Sequence, residues 1–219
     1  MRNESQDFEI FRFRYFFIFK TKIMCETNKL FNFELQMQIE GILPKGHIYQ
    51  LGKPGLILRS AGFPDLPIEL SASHLADKAK TAHHPFDISE VKDLVNALQN
   101  PLAVFSYGDK TKAQNVIVEL THNAKNFVVG VHFNQKRNGI MVSSIRGLYP
   151  KDNAEWLNWI TQGKALYLDK TRIQTLIDQQ RRTLADVEYL DLDSAAKIIK
   201  KFINPSLLEE KISKLKNNN

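Results

Sequence analysis

The side chains with chemistry to offer at neutral pH are a few histidines, and their placement is uneven. His74 stands four residues before Lys78, so on a helix the two share one face a turn apart. An imidazole with its ordinary pKa of ~6.5 keeps both protonation states available near neutrality and suits removal of a proton from a hydroxyl. The lysine would hold a phosphate. His83 and His84 follow in "HHPFDISE", where that helix must break, and either is placed to be a second proton donor. His132 alternates out of the apolar set of "NFVVGVHF". Gly130, on the same face, removes a side chain where a ligand can approach. Ser143, Ser144 and Arg146 close the strand "GIMVSSI" and its exit. The arginine offers a bidentate grip on phosphate, and a serine hydroxyl offers a hydrogen bond to a non-bridging oxygen.

Together these residues can support metal-free RNA cleavage. That reaction needs a base on the 2′-hydroxyl, an acid for the leaving oxygen and a cation near the phosphate. His74, His83, His84 and Ser144 are the catalytic candidates; Lys78, Arg146, Ser143 and His132 are candidates for holding the phosphate. No cofactor is called for. The chain has no HExxH, phosphate-binding loop, dinucleotide fingerprint, GxSxG elbow or zinc-deaminase pattern, so no metal site is expected. Each candidate also has a plain structural reading, as a surface histidine beside a lysine, a partly exposed strand residue or the end of a strand.

The formal charge of +6 and pI near 9.3 modestly favour an anionic partner, of which nucleic acid is the commonest. Lys110, Lys136, Arg137 and Lys151 fall near strand ends and would extend a basic funnel. The single cysteine, Cys25, excludes an internal disulfide and a thiolate cluster, in keeping with a reducing compartment. Eight of the 14 phenylalanines precede residue 34. The longest apolar run there, Tyr15 to Phe19, is far short of the ~20 residues that span a membrane, and a signal-peptide cleavage site is not evident. No membrane partner is expected. Met24 and Met37 are alternative starts, and residues 1–37 are set apart from the fold as a Phe-rich leader.

The elements that must position these residues are readable from periodicity. "LILRSAG" is a short turn or helix stopped by Gly62, and the prolines of "FPDLPIEL" make it extended. Ser71 or Ser73 caps a helix through Lys80. Ile88, Val91, Leu94, Val95 and Leu98 form one apolar stripe, predicting a continuous helix capped by Asp87 or Ser89. Strands are predicted over 102–107, 114–120, 126–133 and 139–145, joined by short polar links that make neighbours antiparallel. The remainder reads as helical. Trp156, Trp159 and Ile160 share a helix face as core or as a contact patch, and further helices follow from Asp169 and from Asp191 to Pro205.

Read together, "LPKGHIYQLGKPG", "AGFPDLPIELSASHLADKAK", "HHPFDISEVKDLVNALQNPLAVFSY", "AQNVIVEL", "MVSSIRGLYPKDNAEWLNWI" and "GKALYLDK" resemble the C-terminal domain of phage Mu F-like head-morphogenesis proteins. That family also occurs in large mobile-element polypeptides of Bacteroides-type bacteria, and is grouped with barnase, EndoU, colicin and RelE-like nucleases. The resemblance covers residues 38–205, with 206–219 a polar tail. It implies a ribonuclease-like toxin or effector, delivered with a phage or conjugative element and acting in the cytoplasm of the producing or target bacterium. Its partners would be an RNA substrate such as tRNA or mRNA and a cognate immunity or antitoxin protein. It also implies a histidine in "S-x-x-HL", here His74, a second at His83 or His84, and a serine-bearing last strand, here Ser143-Ser144. The expected fold is α+β: N-terminal helices, then a curved four-stranded antiparallel sheet with C-terminal helices packed against it. The rival reading is a non-catalytic module that binds nucleic acid or a protein.

Overall fold

The computed structural model describes residues 25–183 and 192–202. Most of the Phe-rich leader and the polar tail lie outside them. A helix over 25–39 (α1) precedes β1 (Ile48–Gln50), α2 (Leu56–Ser60), β2 (Ile68–Ser71) and α3 (Ala72–Ala79). A 3-10 turn (Ile88–Val91) and α4 (Leu94–Gln99) lead into β3 (Ala103–Ser106), β4 (Ala113–His122), β5 (Lys125–Arg137) and β6 (Ile140–Lys151). Then come α5 (Asn153–Thr161), β7 (Ala165–Leu168), α6 (Lys170–Thr183) and α7 (Leu192–Lys201). Phe31 and Leu35 of α1 are buried in the core, so the packed domain reaches back across residue 37.

The α+β class stands, but the curved four-stranded antiparallel sheet does not. All strands join one open, mixed, seven-stranded sheet in the order β1-β2-β6-β5-β4-β3-β7. β2 runs parallel to β6, pairing Ile68 with Ser143 and Glu69 with Ser144. The three strands missing from the periodicity reading, β1, β2 and β7, have only 3 or 4 residues each. Alternation cannot declare itself over so short a run. Their conformation is set by the longer neighbours they pair with, which is a tertiary effect.

The helix predicted through residues 88–98 is also interrupted. Asp93 takes φ 65°, and side chains from α1 hold it there. Asn28 and Asn32 donate to its Oδ1 at 2.6 and 2.8 Å, while the Asp93 N–H donates to Asn32 Oδ1 at 2.9 Å. These bonds tie α1 to the start of α4 and stand in for the helical ones lost at the break.

Helices cover both faces of the sheet. On one face α1, α2, α3 and α4 pack over Val116, Val118, Phe127, Val129, Val131, Ile145 and Leu148. On the other, α5, α6 and α7 cover Phe105, Ile117, Val128 and Leu168. Trp156 is fully buried in this second core and its Nε1–H donates to Asn153 Oδ1 at 2.9 Å; Trp159 packs at its edge. Among the described residues, the C-terminal helices stop short of covering the whole second face. What they leave bare is the candidate site.

Candidate functional site

Strand register decides which side chains meet. Directly opposed residues share a face, and His132 is opposite Ser144. One row along, Asn115, Gly130 and Gly147 line up across β4, β5 and β6. The next row holds Ile117, Val128 and Tyr149, where the cover of the C-terminal helices begins. The part of the face short of that cover therefore carries His132 and Asn115, with Tyr149 at its border and the buried Ser144 beside His132. Two glycines lie in its middle.

Arg146 joins this surface through an irregularity. Val131 pairs with Ile145 and Gly130 with Gly147, which leaves Arg146 as an extra residue in β6. Such a bulge re-aims a side chain. It also explains how Ile145 and Leu148, three positions apart, both enter the same core, which a regular strand of period two forbids. Register shifts again beyond His132, where Asn134 has φ 53°.

These residues line a cavity of about 140 Å³, bounded by Tyr107, Asn115, Gly130, His132, Arg146, Gly147 and Tyr149 among others. Its floor is backbone. A Cβ added at Gly130 would come within 3.3 Å of Asn115 Oδ1 and of the Cα and N of Gly147; one at Gly147 would meet Gly130 at 3.4 Å. Burial pushes the Tyr149 hydroxyl above its ordinary pKa, helped by Tyr107 and Glu155, so it stays a protonated donor across the neutral range. A larger cavity of about 410 Å³ lies elsewhere, and Lys110 is the one ionisable side chain lining it. It offers little for acid–base chemistry.

α3 and the segment after it bring two more histidines alongside. Ser71 caps α3 by accepting from the His74 N–H at 3.5 Å. From the first turn the His74 ring reaches β6, with Nε2 2.8 Å from the carbonyl oxygen of Arg146. A carbonyl only accepts, so Nε2 carries the proton, and in the neutral ring Nδ1 keeps the lone pair. His84 stacks on Tyr149, ring centroids 5.3 Å apart at 24°.

The sequence-predicted residues thus divide. His132 and Arg146 line the cavity, His84 stacks on one wall, and Ser144 stands opposite His132. His74 grips the backbone of the bulge. His83 is exposed and Lys78 half-buried in the last turn of α3; neither lines the cavity. Ser143 pairs with Ile68, which belongs to the first core, and is fully buried with an unpaired hydroxyl. It is turned away from Ser144 and cannot reach a ligand on the other face.

Tyr107, Tyr149, Asn115 and Gly147 are among the lining residues missed by sequence reasoning. The signal that finds Asn115, Gly147 and Tyr149 is the β4–β5–β6 register anchored on Gly130, not any local motif; Tyr107 follows β3, outside that register. Among the described residues no three His, Cys, Asp or Glu side chains converge as a metal site, and no helix is long and apolar enough to cross a membrane.

The fold and site define an α+β domain whose mixed sheet carries a small polar cavity on the half-bare face, with histidine, arginine and tyrosine around a glycine floor. Residues 75–175 match the family model described as the phage MuF C-terminal domain. All the cavity-lining residues named above fall inside the match, with His74 just before it. No curated protein and no solved structure matches the chain.

Proposed function

We propose that this domain is a metal-independent endoribonuclease of a phage or mobile element, acting on RNA in the bacterial cytoplasm and restrained by a cognate antitoxin. The observation that carries the reading is the convergence of His132, Arg146 and Tyr149 on one cavity with His84 stacked at its wall. His132 and His84 are the proton-transfer pair. One imidazole removes the 2′-hydroxyl proton as that oxygen attacks phosphorus; the other protonates the departing 5′-oxygen as the P–O bond breaks. Arg146 holds the non-bridging oxygens, with Ser144 donating alongside. His74 acts through Arg146, because its bond to the Arg146 carbonyl fixes the bulge that aims the guanidinium. Lys78 and the net charge of +6 add to the field that attracts the polyanion.

The experiment is cleavage of total bacterial RNA by the full chain in EDTA, beside His132→Ala and His84→Ala. Discrete fragments from the unmodified protein, with at least a hundredfold loss in either variant, are expected for acid–base catalysis worth about 10²–10⁴. Wild-type rates in both variants would overturn the assignment. RNA retention without cleavage would turn the reading to a binding module.

A further inference from the structure

Asn115 has no part in that chemistry, yet its placement is specific. It lies in the middle of β4, opposite both Phe105 and Gly130. It is nine-tenths buried and lines the cavity, and its amide has no hydrogen-bond partner among the described residues. A buried amide normally finds a partner within the protein. This one sits where a Cβ on Gly130 would come within 3.3 Å of its Oδ1, directly over the side-chain-free floor.

We infer that the cavity is a nucleobase slot, with Asn115 reading the edge of one base of the RNA and Tyr107 and Tyr149 supplying the aromatic walls. The inference rests on the proposed action on RNA and names what the site selects.

Three features favour a base over a phosphate or a sugar. The cavity of about 140 Å³ is well below the roughly 300–1,000 Å³ of pockets for drug-sized ligands, and suits one planar heterocycle. An amide presents a donor and an acceptor side by side, whichever way it is turned. A phosphate only accepts and would leave Oδ1 unpaired, whereas base edges carry adjacent donor and acceptor groups that an amide matches in two bonds. Finally, the walls are aromatic. Tyr107 is 58% exposed at the mouth and Tyr149 is half-buried deeper in, and ring faces of this kind stack bases. Arg146 at the same cavity would hold the phosphate attached to the base.

The test is binding of AMP, GMP, CMP and UMP to the full chain by equilibrium dialysis, together with cleavage of RNA oligonucleotides that differ at one base. The unmodified protein should prefer one nucleotide by at least tenfold. Asn115→Ala should flatten that preference to within about threefold. Asn115→Asp keeps the shape but loses the donor, and should re-rank the four; thermal melts of both variants establish that they fold. Equal binding of all four nucleotides, or an unchanged preference in both folded variants, would overturn the slot. A base preference without RNA cleavage would support the slot and defeat the proposed nuclease. Cleavage indifferent to base would do the reverse. Neither nucleotide binding nor cleavage would defeat both.

Discussion

His74 Nε2 donates to the carbonyl oxygen of Arg146 across 2.8 Å, joining the first turn of α3 to the bulge in β6. The donor survives protonation of the ring, since both nitrogens then carry hydrogen. Replacing His74 by Ala should cost about 1 kcal/mol of stability, as for a neutral hydrogen bond, and weaken RNA binding by loosening the bulge. His74→Gln retains a donor and should recover most of both effects. Urea denaturation and gel-shift titration measure the two, and alanine at wild-type values in both would remove His74 from the account.

Arg172 is the corresponding tie for the C-terminal helices. From the first turn of α6 it donates to Asp169 Oδ2 at 2.8 Å, Glu119 Oε2 at 3.0 Å and the carbonyls of Asn100 and Pro101 at 2.9 Å. Lysine keeps the charge but cannot fan four donors over that span. Arg172→Lys should therefore destabilise the protein by about 1–3 kcal/mol, the worth of one or two charge-assisted bonds. Chemical denaturation of the folded variant gives the value, and a change below a few tenths would contradict it.

How far the sequence disclosed this arrangement depends on range. The alternation of Phe127, Val129, Val131 and Phe133 was enough to place His132 on the other face, because two-residue periodicity is a local property. Ser143 and Ser144, grouped by adjacency, belong to opposite faces for the same reason. The grip of His74 on Arg146 was not legible. It spans 72 positions in sequence and exists only because β2 pairs in parallel with β6 and delivers α3 beside it. β2 ends a stretch that its prolines mark as extended, but four residues give no sign of the strand it pairs with. The break at Asp93 was hidden too, since an unbroken apolar stripe carries no sign of two asparagines on a distant helix.

Alkaline pH should act through three tyrosines. Burial, with the nearby Glu34 charge, raises the Tyr49 hydroxyl well above its ordinary value, and burial likewise raises Tyr149 and Tyr167. A group with a raised folded-state pKa contributes stability that is complete below its unfolded pKa, here about 10. That contribution fades as pH climbs towards the folded value, because the unfolded chain releases its protons first. The urea midpoint should hold to about pH 9 and fall steeply above 10. Tyr49→Phe loses the bond to Gln38 Oε1, so it should be weaker at pH 8 and show a shallower alkaline fall. An equal slope in both proteins would exclude Tyr49 as a source.

The bulge at Arg146 makes a prediction that contact counting would not. Ile145 and Leu148 point into the first core, while Arg146 and Gly147 both serve the other face. Deleting residue 146 would leave Ser144 out, Ile145 in, Gly147 out and Leu148 in, a regular alternation in which the existing pairs of Val131 with Ile145 and Gly130 with Gly147 can persist. The deletion should fold, losing about 1 kcal/mol with the acceptor of His74. Deleting Leu148 instead removes a fully buried side chain and should cost about 2–5 kcal/mol, as for large-to-small core changes. Arg146→Ala keeps the bulge and removes only the cation, so both changes at this position should weaken RNA binding and flatten its dependence on salt. The order of stabilities, with the Arg146 deletion far above the Leu148 deletion, is read from thermal melts. The reverse order would mean that the extra residue holds the strand in register rather than aiming a side chain.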